Sequence, residues 1–206
     1  MKKVLAIDLD GTILDIKDKY CKVFCQLTGN SSDISEIFWA RKRLRESSFQ
    51  IAIEISPNLD RTSTEFTQSW VDEIEKLENL HFDKLFVNVA KKLIDLRENY
   101  YIILCTRRRN SNNLKLQLIE LGIFNLFDRI ITLNSCESKI EKISSEIFPL
   151  TEFILISDTP EDFEGNILNL NVVKYGVCSG LTSTSAWIGI KDMIVIQKFT
   201  DFQESP

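Results

Sequence analysis

The sequence predicts an α/β protein, a Rossmann-like, doubly wound parallel sheet into which a block of helices is inserted. Three observations carry that reading. Short apolar runs at residues 4–7, 101–105, 130–133 and 153–156 recur between helical segments. Each suits a strand buried on both faces better than a helix. Strands that alternate with helices imply a parallel sheet covered on both sides. Residues 15–80, by contrast, have helical periodicity and only one ambiguous strand-like run, residues 51–55.

The elements follow in order. After the first run, Tyr20, Val23, Phe24 and Leu27 share a helical face that stops at Thr28-Gly29-Asn30. Ile34, Ile37, Phe38 and Leu44 mark a second helix, with Ser32 or Asp33 as its cap, and Phe66, Trp70, Ile74 and Leu77 a third that begins near Thr62. From Asp83 a helix carrying Leu85, Phe86, Val89, Leu93 and Leu96 leads to the strand at 101–105. A helix with Leu114, Leu118 and Leu121 ends at Gly122, and another lies near 137–147. Pro160 opens a further helix, and short strands are expected at 172–173 and 193–196. At 206 residues, against ~150 per domain, this gives a core of residues 1–14 and 81–206 and a helical domain of residues 15–80.

Composition narrows the chemistry. A net charge of −5 supplies no basic field for nucleic acid or an anionic membrane. The start of the chain reads neither as a signal peptide nor as a membrane span. Five cysteines without a C-x-x-C pair read as free thiols in a reducing cytoplasm. With His81 the only histidine, a His/Cys zinc site is not expected, and any metal must be held by oxygen, which favours Mg²⁺.

The first strand runs into Asp8-Leu9-Asp10-Gly11-Thr12. Alternation sends Asp8 and Asp10 to one side, and Gly11 allows a sharp turn. Crowded carboxylates call for a cation or a shared proton, unless the stretch is only a strand that ends in a polar turn. The other strand ends are also polar. Thr106 is followed by Arg107-Arg108-Arg109, placed where a helix should begin and positive charge is disfavoured; Thr106 reads as a cap or a ligand contact, the arginines as a solvated cluster or an anion site. Ser157-Asp158 ends another strand, with Thr159 and Pro160 suited to N-cap and N1 and Asp162 to N3. Lys139 and Lys142 compete as the lysine between them.

The ordered set Asp8-x-Asp10-Gly11-Thr12, Thr106, Lys139 and Asp158-x-x-x-Asp162 resembles the four motifs of the haloacid-dehalogenase-like hydrolases, and residues 15–80 stand where that family carries a helical cap. Ser157 occupies a position where members often have glycine, and Gly176-Val177-Cys178-Ser179-Gly180 is similar to another family segment. The resemblance implies a phosphatase of the phosphoglycolate-phosphatase-like branch, a phosphoric monoester hydrolase acting on a small phosphorylated substrate. It implies Asp8 as nucleophile and Asp10 as acid/base. Mg²⁺ would be held by Asp8, the Asp10 carbonyl and Asp158, with Asp162 in support. Thr106, Arg107, Lys139 and the N–H groups of Leu9 and Gly11 would face the phosphoryl group. An acid at Asp10 argues for phosphoryl transfer over dehalogenation, whose leaving group needs no proton. A sugar phosphomutase and a non-catalytic interaction protein that keeps the fold are the alternatives. In the cap, ~100° per residue puts Arg41 and Arg45 on the face of Ile34, Ile37 and Phe38, as candidates to select an anionic substrate.

Overall fold

The structure, a computed structural model, describes residues 2–134, 136–147 and 149–204. Strand β1 (Lys3–Ile7) is followed by the two-residue β2 (Leu14–Asp15). Helices α1 (Lys17–Thr28), α2 (Ser35–Lys42), α3 (Ser48–Ile55), α4 (Ser63–Ile74) and α5 (Leu77–Leu80) come next, and β3 (Lys84–Leu85) then returns antiparallel to β2, with Leu14 opposite Leu85. From there helices and strands alternate: α6 (Val89–Leu96), β4 (Tyr100–Thr106), α7 (Ser111–Glu120), β5 (Arg129–Thr132), α8 (Lys139–Glu146), β6 (Glu152–Ser157), β7 (Asn171–Val177) and β8 (Ile194–Ile196).

Six parallel strands form the main sheet in the order β5-β4-β1-β6-β7-β8. The chain builds outward through β4 and β5, then crosses to the other side of β1 to start β6. The order therefore reverses between β1 and β6, and in such sheets ligands bind at that point, beyond the carboxyl ends of the strands. Alternation sorts the buried side chains into two layers. Leu5, Ile7, Ile102, Leu104, Ile154 and Ile156 lie on one face, and Val4, Ala6, Ile103, Cys105, Phe153 and Leu155 on the other. Both faces are covered, which is why the strands read as continuous apolar runs.

The helical block closes around its predicted stripes. Phe24 stacks on Phe38 at 4.0 Å between ring centroids, and Tyr20 meets Trp70 edge-on at 5.2 Å. Thr62 and Glu65 form a reciprocal capping box at the start of α4, and Gly29 ends α1 in the left-handed region at φ 69°. These side chains join the sheet face that carries Leu5 and Ile7 in one continuous apolar cluster.

Three local expectations change. The ambiguous residues 51–55 are helical, as part of α3. The helix expected from Asp83 starts only at Val89, because Lys84–Leu85 pairs with β2 and Asn88 takes a left-handed φ of 66°. Pro160 opens a single 3₁₀ turn, Pro160–Phe163, before the chain becomes extended at Glu164. No helix among the described residues is long and apolar enough to cross a membrane.

Candidate active site

Strand pairing delivers Asp8 to the crevice. Ile7 is held between Leu104 and Ile156, and the Asp8 N–H still donates to Ile156 O at 2.9 Å. Its carboxylate therefore leaves the sheet buried at the switch point. Lys139 is the first residue of α8, after Ser138, whose hydroxyl caps the helix by accepting from Glu141 N–H. From there the Lys139 ammonium reaches Asp8 Oδ1 and, at 2.7 Å, Asp162 Oδ2. Lys142, one turn on, lies at the surface near Glu137 and Glu146. Of the two lysines, the fold brings Lys139 to the carboxylates.

Asp158 follows β6 and accepts a hydrogen bond from Leu181 N–H at 2.6 Å. Its carboxyl is wedged between two glycines. A Cβ on Gly11 would lie 2.2 Å from Asp158 Oδ2, and one on Gly180 2.0 Å from the same oxygen. Gly11 also has φ +78°, so its lack of a side chain serves both the turn and the close approach. Its N–H donates to Leu14 O at 2.8 Å, so the Gly11 amide expected at the phosphoryl group is committed to the turn instead. Asp162 is bonded by Lys139, by the Ser157 hydroxyl and by Arg107 Nε at 3.3 Å. Serine in place of glycine at 157 thus contributes a donor. Arg107 also donates to the carbonyls of Asn134 and Glu137 and braces Asp162 beside the cleft that it lines. Thr106 is buried at the end of β4 and accepts from Arg108 N–H at 3.4 Å.

Asp10 belongs to a second network. Arg108 grips it with a two-pronged contact, Nε to Oδ2 and Nη2 to Oδ1, each 2.6 Å, and also reaches Asp83 Oδ2 at 2.9 Å. Lys19 of α1 bonds the same Asp83 oxygen at 2.7 Å and Asp10 at 3.4 Å, and Gln117 Nε2 of α7 donates to Asp83 Oδ2 at 2.8 Å. Sequence reading missed Lys19, Asp83 and Gln117. The available signal was a polar residue within an apolar stripe, since Lys19 precedes Val23 by four and Gln117 follows Leu114 by three.

Arg41 and Arg45 do not enter the cleft. Helix α2 ends at Lys42 and Arg45 has φ 73°, so helical spacing cannot be carried that far. Arg41 pairs with Glu46 and Glu54, and Arg45 with Glu161. The helical block instead presents Lys19, Tyr20, Ile74 and Glu75 to a cleft of about 170 Å³ whose floor includes Asp8, Thr106, Lys139 and Asp158.

The two networks shift their carboxyls in opposite directions. Burial pushes the Asp8 carboxyl up to about 7, against the pull of Lys139, and the charges of Asp162 and Asp10 add to the rise. Burial and the Asp8 charge likewise hold Asp158 well above the usual carboxylate range. Burial would raise Asp10 too, but Arg108 and Lys19 outweigh it and hold that carboxyl well below the usual range. Every candidate metal donor is a hard oxygen. Among the described residues no three His, Cys, Asp or Glu side chains converge as a metal-binding group.

No family model and no curated protein sequence matches the chain. Solved structures do. A haloacid dehalogenase-like family hydrolase from Streptococcus pneumoniae superposes with TM-score 0.67 at 18% identity, over 95% of this chain and 94% of that one. A protein described as a predicted phosphoglycolate phosphatase from Haemophilus somnus gives 0.69 at 17% identity, over 97% and 96%. The protein tyrosine kinase A of Mycobacterium tuberculosis gives 0.67 at 16% identity, over 96% and 94%. A fold shared by hydrolases and a kinase does not choose the reaction. The chain has the haloacid-dehalogenase-like α/β fold.

Proposed function

We propose that the chain is a Mg²⁺-dependent phosphatase that hydrolyses a small phosphorylated metabolite through an aspartyl-phosphate on Asp8. The observation that carries this reading is the buried Asp8 carboxylate at the switch point, bonded by Lys139 and close enough to Asp158 that its charge raises that carboxyl. The solved relatives described as phosphatases support it, and so does the size of the cleft, about 170 Å³, below the ~300–1,000 Å³ of most ligand pockets.

The carboxylates of Asp8 and Asp158 and the Asp10 carbonyl would hold the cation. The donors fit, because all are oxygens and because two buried carboxyls, both pushed up by burial and the Asp158 one also by the Asp8 charge, leave a deficit of positive charge. Mg²⁺ bound there supplies charge neutralisation for the phosphoryl group. The chain's residues do the rest. Lys139 and Thr106 orient the phosphoryl oxygens. Asp8 attacks phosphorus as the bond to the leaving oxygen breaks, and an aspartyl-phosphate forms. Water then attacks phosphorus, Asp10 takes its proton, and the Asp8 carboxylate is restored. With Arg108 gripping both of its oxygens, Asp10 starts ionised, and it must be released from that grip to exchange a proton in either step. The helical block, as the cap, closes over the reacting group and excludes water.

Phosphate release across a metabolite panel with Mg²⁺, with Asp8→Asn as control, tests the proposal. Release by the wild type and none by the variant is the expected result. Equal release by both, or none by either, overturns it.

A further inference from the structure

The cap also touches the core at a place that no step above uses. Between α2 and α3, Arg43 extends to the loop after β7. There Nη2 donates to Cys178 O at 2.6 Å and Nε to Gly180 O at 3.1 Å. The two stretches also meet through their backbones, since Ser183 N–H donates to Arg43 O at 3.0 Å and Leu44 bridges Thr182. The loop held in this way is the one that shapes the surroundings of Asp158. Leu181 N–H donates to Asp158 Oδ2 at 2.6 Å, and the Ser179 hydroxyl donates to Gly11 O at 2.8 Å. Gly180 approaches Gly11 so closely that a Cβ on it would lie 2.5 Å from the Gly11 Cα. A guanidinium that spans the carbonyls of residues 178 and 180 fixes the curvature of the segment between them, because its donors are rigidly arranged. This brace is part of the cap, whereas the carboxylate it steadies is part of the core.

We propose that Arg43 is a positioning residue through which the cap sets Asp158 for cation binding, so that seating of the cap and affinity for Mg²⁺ are coupled. The proposal rests on the phosphatase reading and on the cation site within it. Linkage makes the coupling reciprocal: seating the cap tightens the cation, and the cation seats the cap to the same degree.

Mg²⁺ titrations followed by melting temperature, on the full chain without substrate, test this. Wild type is expected to gain stability as Mg²⁺ is added, and Asp158→Asn to gain none. Arg43→Ala should need about tenfold more Mg²⁺ for the same gain, because a hydrogen bond from a charged group is worth at least that factor. Arg43→Lys, whose point charge cannot span both carbonyls, should fall between. Arg43→Ala with wild-type Mg²⁺ dependence overturns the proposal and leaves the phosphatase reading intact. If Arg43→Ala does not fold, Arg43→Lys decides, and a wild-type Mg²⁺ dependence again overturns it. A wild type that releases phosphate yet melts at the same temperature with and without Mg²⁺ overturns the cation site and this proposal together.

Discussion

Asp8 and Asp10 are separated by one residue, yet they occupy opposite environments. The surroundings of Asp8 are built entirely from the ends of core elements: Lys139 at the start of α8, and Asp158 and Asp162 after β6. Those of Asp10 need three parts of the chain: Arg108 after β4, Lys19 on α1 of the helical block, and Asp83 beside the returning strand β3. The proposed nucleophile is therefore bonded by a core lysine, and the proposed acid/base by a core arginine together with a lysine of the helical block. The proposed acid/base, which would serve both half-reactions, thus sits where sheet and helical block meet.

The largest effect that sharpens this contrast is expected from Asp8→Asn, which removes the nucleophile and should lower phosphate release on the order of 10⁴-fold or more, measured in single turnover. Lys139→Ala comes next. It removes the one cation bonded to Asp8 and takes a partner from Asp162, and should cost ~3–5 kcal/mol of stability in a denaturant titration, along with most activity. Asp83→Ala should cost a similar ~3–5 kcal/mol, because it strips Lys19 and Arg108 of a buried partner. Its folded fraction, however, should lose less kcat than Lys139→Ala, because the loss reaches Asp10 only through Arg108 and Lys19. Equal kcat losses in Lys139→Ala and Asp83→Ala would break the comparison.

Two pH effects follow, with opposite signs. Asp10 is depressed by Arg108 and Lys19, so it contributes stability that is present above the ordinary carboxylate range and lost as pH falls through its lowered value. Arg108→Gln should abolish most of that depression and move the acidic limb of the kcat/KM profile to higher pH. Asp8 is raised to about 7, so the metal-free protein loses stability as pH climbs from the ordinary carboxylate range towards 7. The stabilisation conferred by Mg²⁺ should accordingly grow between pH 5 and pH 8, as read by melting temperature. The smallest effect belongs to Arg41→Ala. With its guanidinium on Glu46 and Glu54 at the cap surface, KM for an anionic substrate should not change.

How much of this was legible in the sequence depended on how local the signal was. The strands at residues 101–105 and 153–156 were readable because burial on both faces leaves an uninterrupted apolar run. Asp8 and Asp158 were readable because each sits directly at the end of such a run, whereas Lys139 could not be told from Lys142 one turn on. Arg108 was not, because the carboxylates that fix it are 98 and 25 residues away and its neighbours Arg107 and Arg109 look identical in sequence. Arg45 was misread because a helical period was carried past the end of α2, which ends at Lys42. The Gly11 amide was misjudged because the turn that consumes it returns through Leu14, itself paired with Leu85 far along the chain.

That pairing of Leu14 with Leu85 has one more consequence. The polypeptide departs from the sheet and comes back to it side by side, so the geometry of every main-sheet strand is indifferent to what is threaded between the two crossing points. Lengthening or shortening the excursion changes the entropy of closure only slowly. The helices from 17 to 80 are in this sense an excursion whose length the pairing of the strands does not constrain. What it must supply is the apolar underside that completes the layer around Leu5 and Ile7, together with one cation to answer Asp83.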